Sequence, residues 1–170
     1  MLNLAGGCKL PPFEFMAKTS AGLLLFRKRA EAYEFLLVHL GGPFWAKKDA
    51  GAWFIPKGEV NSGEDQLAAA KREFQEETGL LPQGTFLPLG SVTQRSGKIV
   101  IAWAFQDDFD PSNLRSNTFE MEWPPRSGKK KTFLEVDRAA FFSFEGAREK
   151  MHPAEFELLA RLMQQLQPSH

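Results

Sequence analysis

The feature that most constrains this chain is an amphipathic helix whose charges sit where a helix tolerates them worst. Residues 62–79 read SGEDQLAAAKREFQEETG, and Leu67, Ala70 and Phe74 share one stripe at helical spacing. Ser62 with Asp65 three residues on forms a capping-box pattern, and Gly79 supplies a left-handed stop. Glu73, Glu76 and Glu77 then crowd the last turns within an arc of roughly 100°. Like charges at these i,i+3 and i,i+4 spacings repel by about 0.2–0.5 kcal/mol each. The helix dipole already presents partial negative charge there. A sequence optimised only for stability would place Lys or Arg in those turns, and local violations of this kind mark functional sites.

The helical wheel sets Glu77 beside Ala70 and Phe74, so its carboxylate is expected to be partly shielded from water. A shielded carboxylate cluster requires a compensating cation. Clustered carboxylate oxygens suit hard divalent ions, Mg²⁺ above all. Arg72 alone cannot neutralise three glutamates, although it can hold one of them in position. Just upstream, Pro56-Lys57-Gly58 ends a strand and turns the backbone toward the helix. Gly58 permits close approach, so a main-chain carbonyl there could be a further metal ligand, and Lys57 adds a point charge suited to phosphate.

The rest of the chain reads as mixed α/β. Apolar runs at residues 19–26 and 35–40 are joined by a short polar connection and predict neighbouring antiparallel strands. Further strand candidates are residues 53–55, 85–93, 99–106, 118–123 and 141–144, and an amphipathic helix closes the chain over residues 153–167. The 170 residues suit one domain, 16–170, after an irregular arm at 1–15. The 21 basic and 21 acidic residues cancel, which gives no global field for nucleic acid or membranes. One cysteine, Cys8, excludes an internal disulfide, and no apolar run approaches a membrane span. A cytoplasmic location is the expectation, since the N-terminus lacks a signal-peptide pattern.

Taken together, Gly58, Glu64 and Arg72-Glu73-Phe74-Gln75-Glu76-Glu77-Thr78-Gly79-Leu80 match the pattern G, x5, E, x7, R-E-U, x, E-E, x, G-U at every specified position, U being bulky and apolar. This is the Nudix box, spanning residues 58–80, and the chain resembles the Nudix hydrolases. The resemblance implies a Nudix fold, α/β with a mixed β-sheet sandwiched between α-helices and the box as a loop–helix–loop. It implies that Glu73, Glu76 and Glu77 carry divalent metal, Mg²⁺ or Mn²⁺, with the carbonyl of Lys57 or Gly58 as an added ligand. Arg72 is then expected to orient a carboxylate and Glu64 to fix the loop–helix geometry. The general base is Glu73 or Glu135, the latter in a segment resembling one where other Nudix enzymes place an extra glutamate.

The implied activity is hydrolysis of a phosphoanhydride bond in a nucleoside di- or polyphosphate linked to another group. Removal of pyrophosphate from RNA 5′ ends and nucleotide sensing without turnover are the alternatives. Trp53-Phe54-Ile55-Pro56-Lys57-Gly58 resembles the W-x-x-P-K-G lead-in of diadenosine and diphosphoinositol polyphosphate hydrolases. The tyrosine that the dinucleotide hydrolases carry beyond the box is absent, as is the proline of ADP-ribose enzymes. Residues 37–45 and 116–128 resemble bacterial Nudix proteins described as predicted nucleotide pyrophosphohydrolases.

Four residues complete the expected substrate contacts. Lys57 and Arg126 offer charge to phosphate, Arg126 within a basic loop with Lys129, Lys130 and Lys131 that could hold a polyphosphate end or simply be solvated. His39 could contact phosphate or be a buried structural histidine. Trp53 is the chosen stacking face among Trp45, Trp53 and Trp123. A small nucleotide is the expected partner, with RNA 5′ ends possible, no DNA, no membrane, and a homodimer open.

Overall fold

The computed structural model describes residues 18–168; the arm expected at 1–15, and Cys8 with it, lies outside the described residues. Strand β1 (Thr19–Arg29) pairs antiparallel with β2 (Ala32–Leu40), as the two apolar runs predicted. The next strands are β3 (Trp53–Phe54) and β4 (Lys57–Glu59), broken at Pro56, whose missing N–H cannot serve a ladder. Helix α1 (Gln66–Thr78) follows, then β5 (Leu87–Thr93) and β6 (Ile99–Gln106), with β6 parallel to β1. The main sheet runs β3-β2-β1-β6-β5 and is extended by β4 on β1 and by β9 (Val136–Phe142) on β2. Strands β7 (Thr118–Glu122) and β8 (Lys130–Leu134) form a separate two-stranded hairpin. Helices α2 (Phe144–Lys150) and α3 (Pro153–Leu166) close the described chain.

The sheet is buried on both faces, and β1 shows why. Successive strand residues point to opposite sides. Ala21, Leu23 and Leu25 pack with Ala69, Ala70 and Phe74 of α1, while Leu24 and Phe26 pack with Leu158, Leu159 and Leu162 of α3. A strand covered on both faces needs a continuous apolar run, which is how residues 21–26 read. The result is a helix–sheet–helix sandwich.

Several boundaries differ from expectation for physical reasons. Helix α1 is capped by Asp65, whose side chain accepts from the Ala68 N–H, and not by Ser62. Residues 61–64 form a turn instead, closed by Glu64 N–H to Asn61 O at 3.0 Å and by Asn61 N–H to the Glu64 carboxylate at 3.0 Å. Gly79 stops the helix in the left-handed region at φ 84°, as expected. Strand β8 was not predicted, because Lys129-Lys130-Lys131-Thr132 offers no apolar alternation and is held by pairing with β7. Strand β9 extends well upstream of the candidate at 141–144, and residue 144 begins α2, which has too few residues for a periodic signal.

Candidate functional site

The acidic cluster is built where α1 crosses the β4 end of β1. Gly58 pairs with Ala21 of β1, and Glu73 reaches across from the helix to its Cα. A β-carbon on Gly58 would lie 2.0 Å from the Glu73 carboxyl carbon, so glycine is required for this close approach. One turn further on, Glu77 is only 8% exposed. Its carboxylate accepts the Lys57 main-chain N–H at 3.1 Å. The expectation that the core stripe would shield Glu77 is met.

Arg72 binds the outer side of the cluster. Its Nε and Nη2 donate to both carboxylate oxygens of Glu64 at 2.9 and 3.0 Å, and Nη2 also reaches the Glu59 carbonyl at 3.1 Å. Its Nη1 donates to Glu73 at 2.7 Å and meets Glu76 at 3.3 Å. The fork therefore ties the turn before the helix to two of the three glutamates. Glu64 is held well below the usual carboxylate range, at about 2, by the Arg72 hydrogen bonds and then by the Asn61 N–H.

Desolvation works the other way on the inner carboxylates. Burial pushes Glu77 up to about 8, with the Glu73 and Glu135 charges adding to the rise against Lys57. Burial likewise raises Glu73, opposed by Arg72. Glu135, at the junction of β8 and β9, is raised by burial and by the charges of Glu73 and Glu76. Residues 62 positions apart in sequence, Glu73 and Glu135, thus share one electrostatic neighbourhood.

Among the described residues, no three carboxylate, imidazole or thiol groups converge into a closed set of metal ligands. The arrangement nevertheless suits a hard divalent cation. It offers carboxylate oxygens only, and the buried Glu77 faces a backbone N–H rather than a side-chain cation within hydrogen-bond reach. Neutralising such a group by an ion is the alternative to keeping it protonated.

A cavity of about 460 Å³ opens beside these acids, lined by residues 40–45, Glu77, Phe119, Met121 and Glu135. Its walls are largely apolar and aromatic, through Phe44, Trp45 and Phe119. Sequence reasoning missed Phe44, Phe119 and Met121, although the alternation in Thr118-Phe119-Glu120-Met121-Glu122-Trp123 signalled a one-sided apolar strand. A larger cavity, about 650 Å³, lies between residues 111–116 and β9, and Glu73, Glu76, Glu77 and Glu135 are not among its lining residues.

The other expected contacts fare differently. His39 is fully buried, with Nδ1 2.8 Å from Asp137 and Nε2 2.7 Å from the Lys48 carbonyl, so neither ring nitrogen is left for phosphate. Trp53 is 5% exposed, edge-on to both His39 and Phe142, its indole N–H donates to Asp49 and the Arg138 guanidinium lies over its ring at 5.3 Å; it borders the larger cavity, of about 650 Å³, and not the one at the acids. The Lys57 ammonium pairs with the fully buried Glu155 at 2.7 Å, and its charge also acts on Glu77. Arg126 stands exposed in the turn between β7 and β8 at φ 62° and is not among the cavity's lining residues.

The NUDIX domain model matches residues 16–162, and the chain therefore belongs to the Nudix family and is a Nudix hydrolase. It is 33% identical over 108 residues to the rat asymmetrical bis(5′-nucleosyl)-tetraphosphatase, covering 56% of this chain and 69% of that one. It superposes on a binary complex of the Caenorhabditis elegans Ap4A hydrolase with a TM-score of 0.63 at 25% identity, over 86% of this chain and 97% of that one. The NUDIX domain of Shewanella oneidensis NrtR, complexed with ADP ribose, gives 0.62 at 14% identity over 94% and 95% of the chains, a likeness of fold alone. Among the described residues no helix is long and apolar enough to cross a membrane.

Proposed function

We propose that the chain hydrolyses a phosphoanhydride bond of a dinucleoside polyphosphate with the help of a divalent ion, Mg²⁺ or Mn²⁺. The observation that carries this reading is the meeting of three desolvated carboxylates, Glu73, Glu77 and Glu135, beside an aromatic-walled cavity. The similarity to asymmetrical bis(5′-nucleosyl)-tetraphosphatases supports the substrate class.

Glu73, Glu76 and Glu77, with the main-chain carbonyl of Lys57 or Gly58, would hold the ion. When bound, such an ion offsets the negative charge of acids and phosphates and polarises the phosphoryl oxygens. Arg72 keeps Glu73 and Glu76 fixed from outside, and Glu64 keeps Arg72 fixed in turn. Glu135 is the general base. It makes no ion pair among the described residues, and burial lifts its proton affinity toward the working range of a base. Its carboxylate takes a proton from the attacking water as the water oxygen bonds to phosphorus and the bridging P–O bond breaks toward the leaving phosphate. Apolar walls at Phe44, Trp45 and Phe119 receive a nucleobase and exclude competing water.

The test is turnover of diadenosine tetraphosphate with Mg²⁺ by wild type, Glu135→Gln and Glu77→Gln, alongside calorimetric Mn²⁺ binding. Glu135→Gln should lose about 10²–10⁴-fold in kcat while still binding Mn²⁺. Glu77→Gln should lose both. Wild-type turnover in both variants would overturn the assignment.

A further inference from the structure

The β7–β8 hairpin belongs to neither face of the main sandwich, yet it forms one wall of the cavity at the acids. Its register assigns each side chain to a side. Phe119 is opposite Phe133, Glu120 opposite Thr132, Met121 opposite Lys131 and Glu122 opposite Lys130. The ladder continues one step further, with Trp123 N–H donating to the Lys129 carbonyl at 2.9 Å. Directly opposite residues in an antiparallel pair share a face, and faces alternate along each strand. Phe119, Met121, Trp123, Lys129, Lys131 and Phe133 therefore form one face.

That face is the one turned to the cavity. Phe119 and Met121 line it, Phe119 lies against Gly42, and Trp123 meets Phe44 edge-on at 5.7 Å. Phe119 and Phe133 pack at 5.9 Å, which confirms their common side. On the other face Lys130 is set opposite Glu122 in the register, without an ion pair between them, and the Glu122 carboxylate accepts the Gly128 N–H at 3.4 Å. Lys129 and Lys131 face no acid on their own side of the hairpin, and the ion-paired lysines among the described residues are Lys18, Lys57 and Lys150. The register thus sets two exposed lysines on the hairpin face of Phe119 and Met121, beyond the cavity's own lining, with Lys131 directly opposite the cavity-lining Met121.

We propose that this hairpin is a phosphate-binding arm. Lys129 and Lys131 hold phosphates of the substrate that extend beyond the bond being broken, and Lys130 takes no part. The arm selects nucleotides with three or more linked phosphates over those with two, because only the longer chain reaches both the carboxylates and the lysines. The inference rests on the proposed hydrolysis of a polyphosphate and adds the residues that read its length. It also replaces a diffuse basic loop by two of its four cations.

The experiment compares wild type, the double variant Lys129→Gln/Lys131→Gln and Lys130→Gln. Inorganic tripolyphosphate binding is measured by calorimetry at two salt concentrations, and steady-state hydrolysis is measured on diadenosine tetraphosphate and on ADP-ribose. The double variant should bind tripolyphosphate about tenfold more weakly with a shallower salt dependence, the size expected for a lost charge-assisted contact. Its KM for the tetraphosphate should rise by about the same factor with kcat nearly unchanged, while any ADP-ribose turnover stays level and Lys130→Gln matches wild type. Equal behaviour of the double variant and wild type, or equal losses in the double variant and Lys130→Gln, would overturn the arm. Silence of wild type on the tetraphosphate, with tripolyphosphate binding still lost only in the double variant, would overturn the proposed reaction and leave the arm standing.

Discussion

Glu77 and Glu155 are both carboxylates removed from water, and both meet Lys57, one through its backbone and the other through its side chain. Glu155 is fully buried on the α3 side of the sheet, accepts the Ile55 N–H at 3.1 Å and pairs with the Lys57 ammonium at 2.7 Å. Glu77 is buried on the α1 side, where it receives the Lys57 N–H and has like-charged neighbours in Glu73 and Glu135. One residue divides its two functional groups between two acids: the ammonium makes an ion pair with Glu155, while its charge offsets the burial of Glu77 only in part. The compensated glutamate is architecture, since it fastens α3 to the strand before the Nudix helix. Glu77 has no side-chain cation within ion-pair distance, so burial outweighs the partial offset from Lys57 and leaves its carboxylate the natural partner of a cation from outside the chain.

The comparison breaks most visibly through Gly58. Gly58→Ala puts a β-carbon into the Glu73 carboxyl group, and the flexible side chain yields before the backbone does. Hydrolysis should fall by about 10²-fold or more, the scale of losing a positioned catalytic group, with an unfolding midpoint close to wild type. Next in size is Glu155→Gln. Removing one partner leaves the Lys57 ammonium, mostly buried, without its countercharge, at a cost of about 3–5 kcal/mol in urea unfolding. Glu77→Gln should instead leave the metal-free protein at least as stable as wild type at pH 8. If both substitutions destabilised equally, the distinction between the two acids would be wrong.

A smaller effect is carried by pH. The fold raises Glu77 from an ordinary 4.5 to about 8, so between these values the native state keeps a proton that the unfolded chain has released. Stability of the metal-free protein from this group is full below pH 4.5 and is lost as pH rises through about 8. Thermal scans across that window should show the decline in wild type and a shallower one in Glu77→Gln, where Glu73 and Glu135 remain raised by burial. Stabilisation by Mg²⁺ should grow over the same range, since binding requires the ionised carboxylate. Glu64 gives the opposite and least effect. Its depressed value, about 2, means a contribution present above pH 4.5 and lost as pH falls through 2, which Glu64→Gln should remove from the acid limb of the profile.

Much of the site was legible because it is local. Gly58, Glu64, Arg72, Glu73, Glu76 and Glu77 lie within one loop and one helix, so fixed spacing carries their geometry. Glu135 was legible only as a resemblance, since its place beside Glu73 depends on where the β8–β9 junction lands. His39 takes the second of the two roles its sequence left open, a buried structural histidine, and Trp53 and Lys57 likewise spend their side chains on structural partners. Each has the right chemistry for a nucleotide, and each is used up by partners far away in sequence: Asp137, Phe142 and Glu155.

By itself the sequence determined the loop–helix–loop, its glycine stop, its apolar stripe and the crowding of its acids, because backbone periodicity and i,i+3 and i,i+4 spacing act over a few residues. It also determined a sheet buried on both faces, through the unbroken apolar run of β1. The tertiary structure alone decided which charges found partners and which did not. Desolvation and pairing depend on elements 60 to 100 residues apart meeting in space, as Glu73 meets Glu135 and Ile55 meets Glu155. The hairpin's two sides were decided the same way, for Lys130 and Lys131 are neighbours in sequence, and only the pairing of β8 with β7 sends one toward Glu122 and the other to the side of Met121.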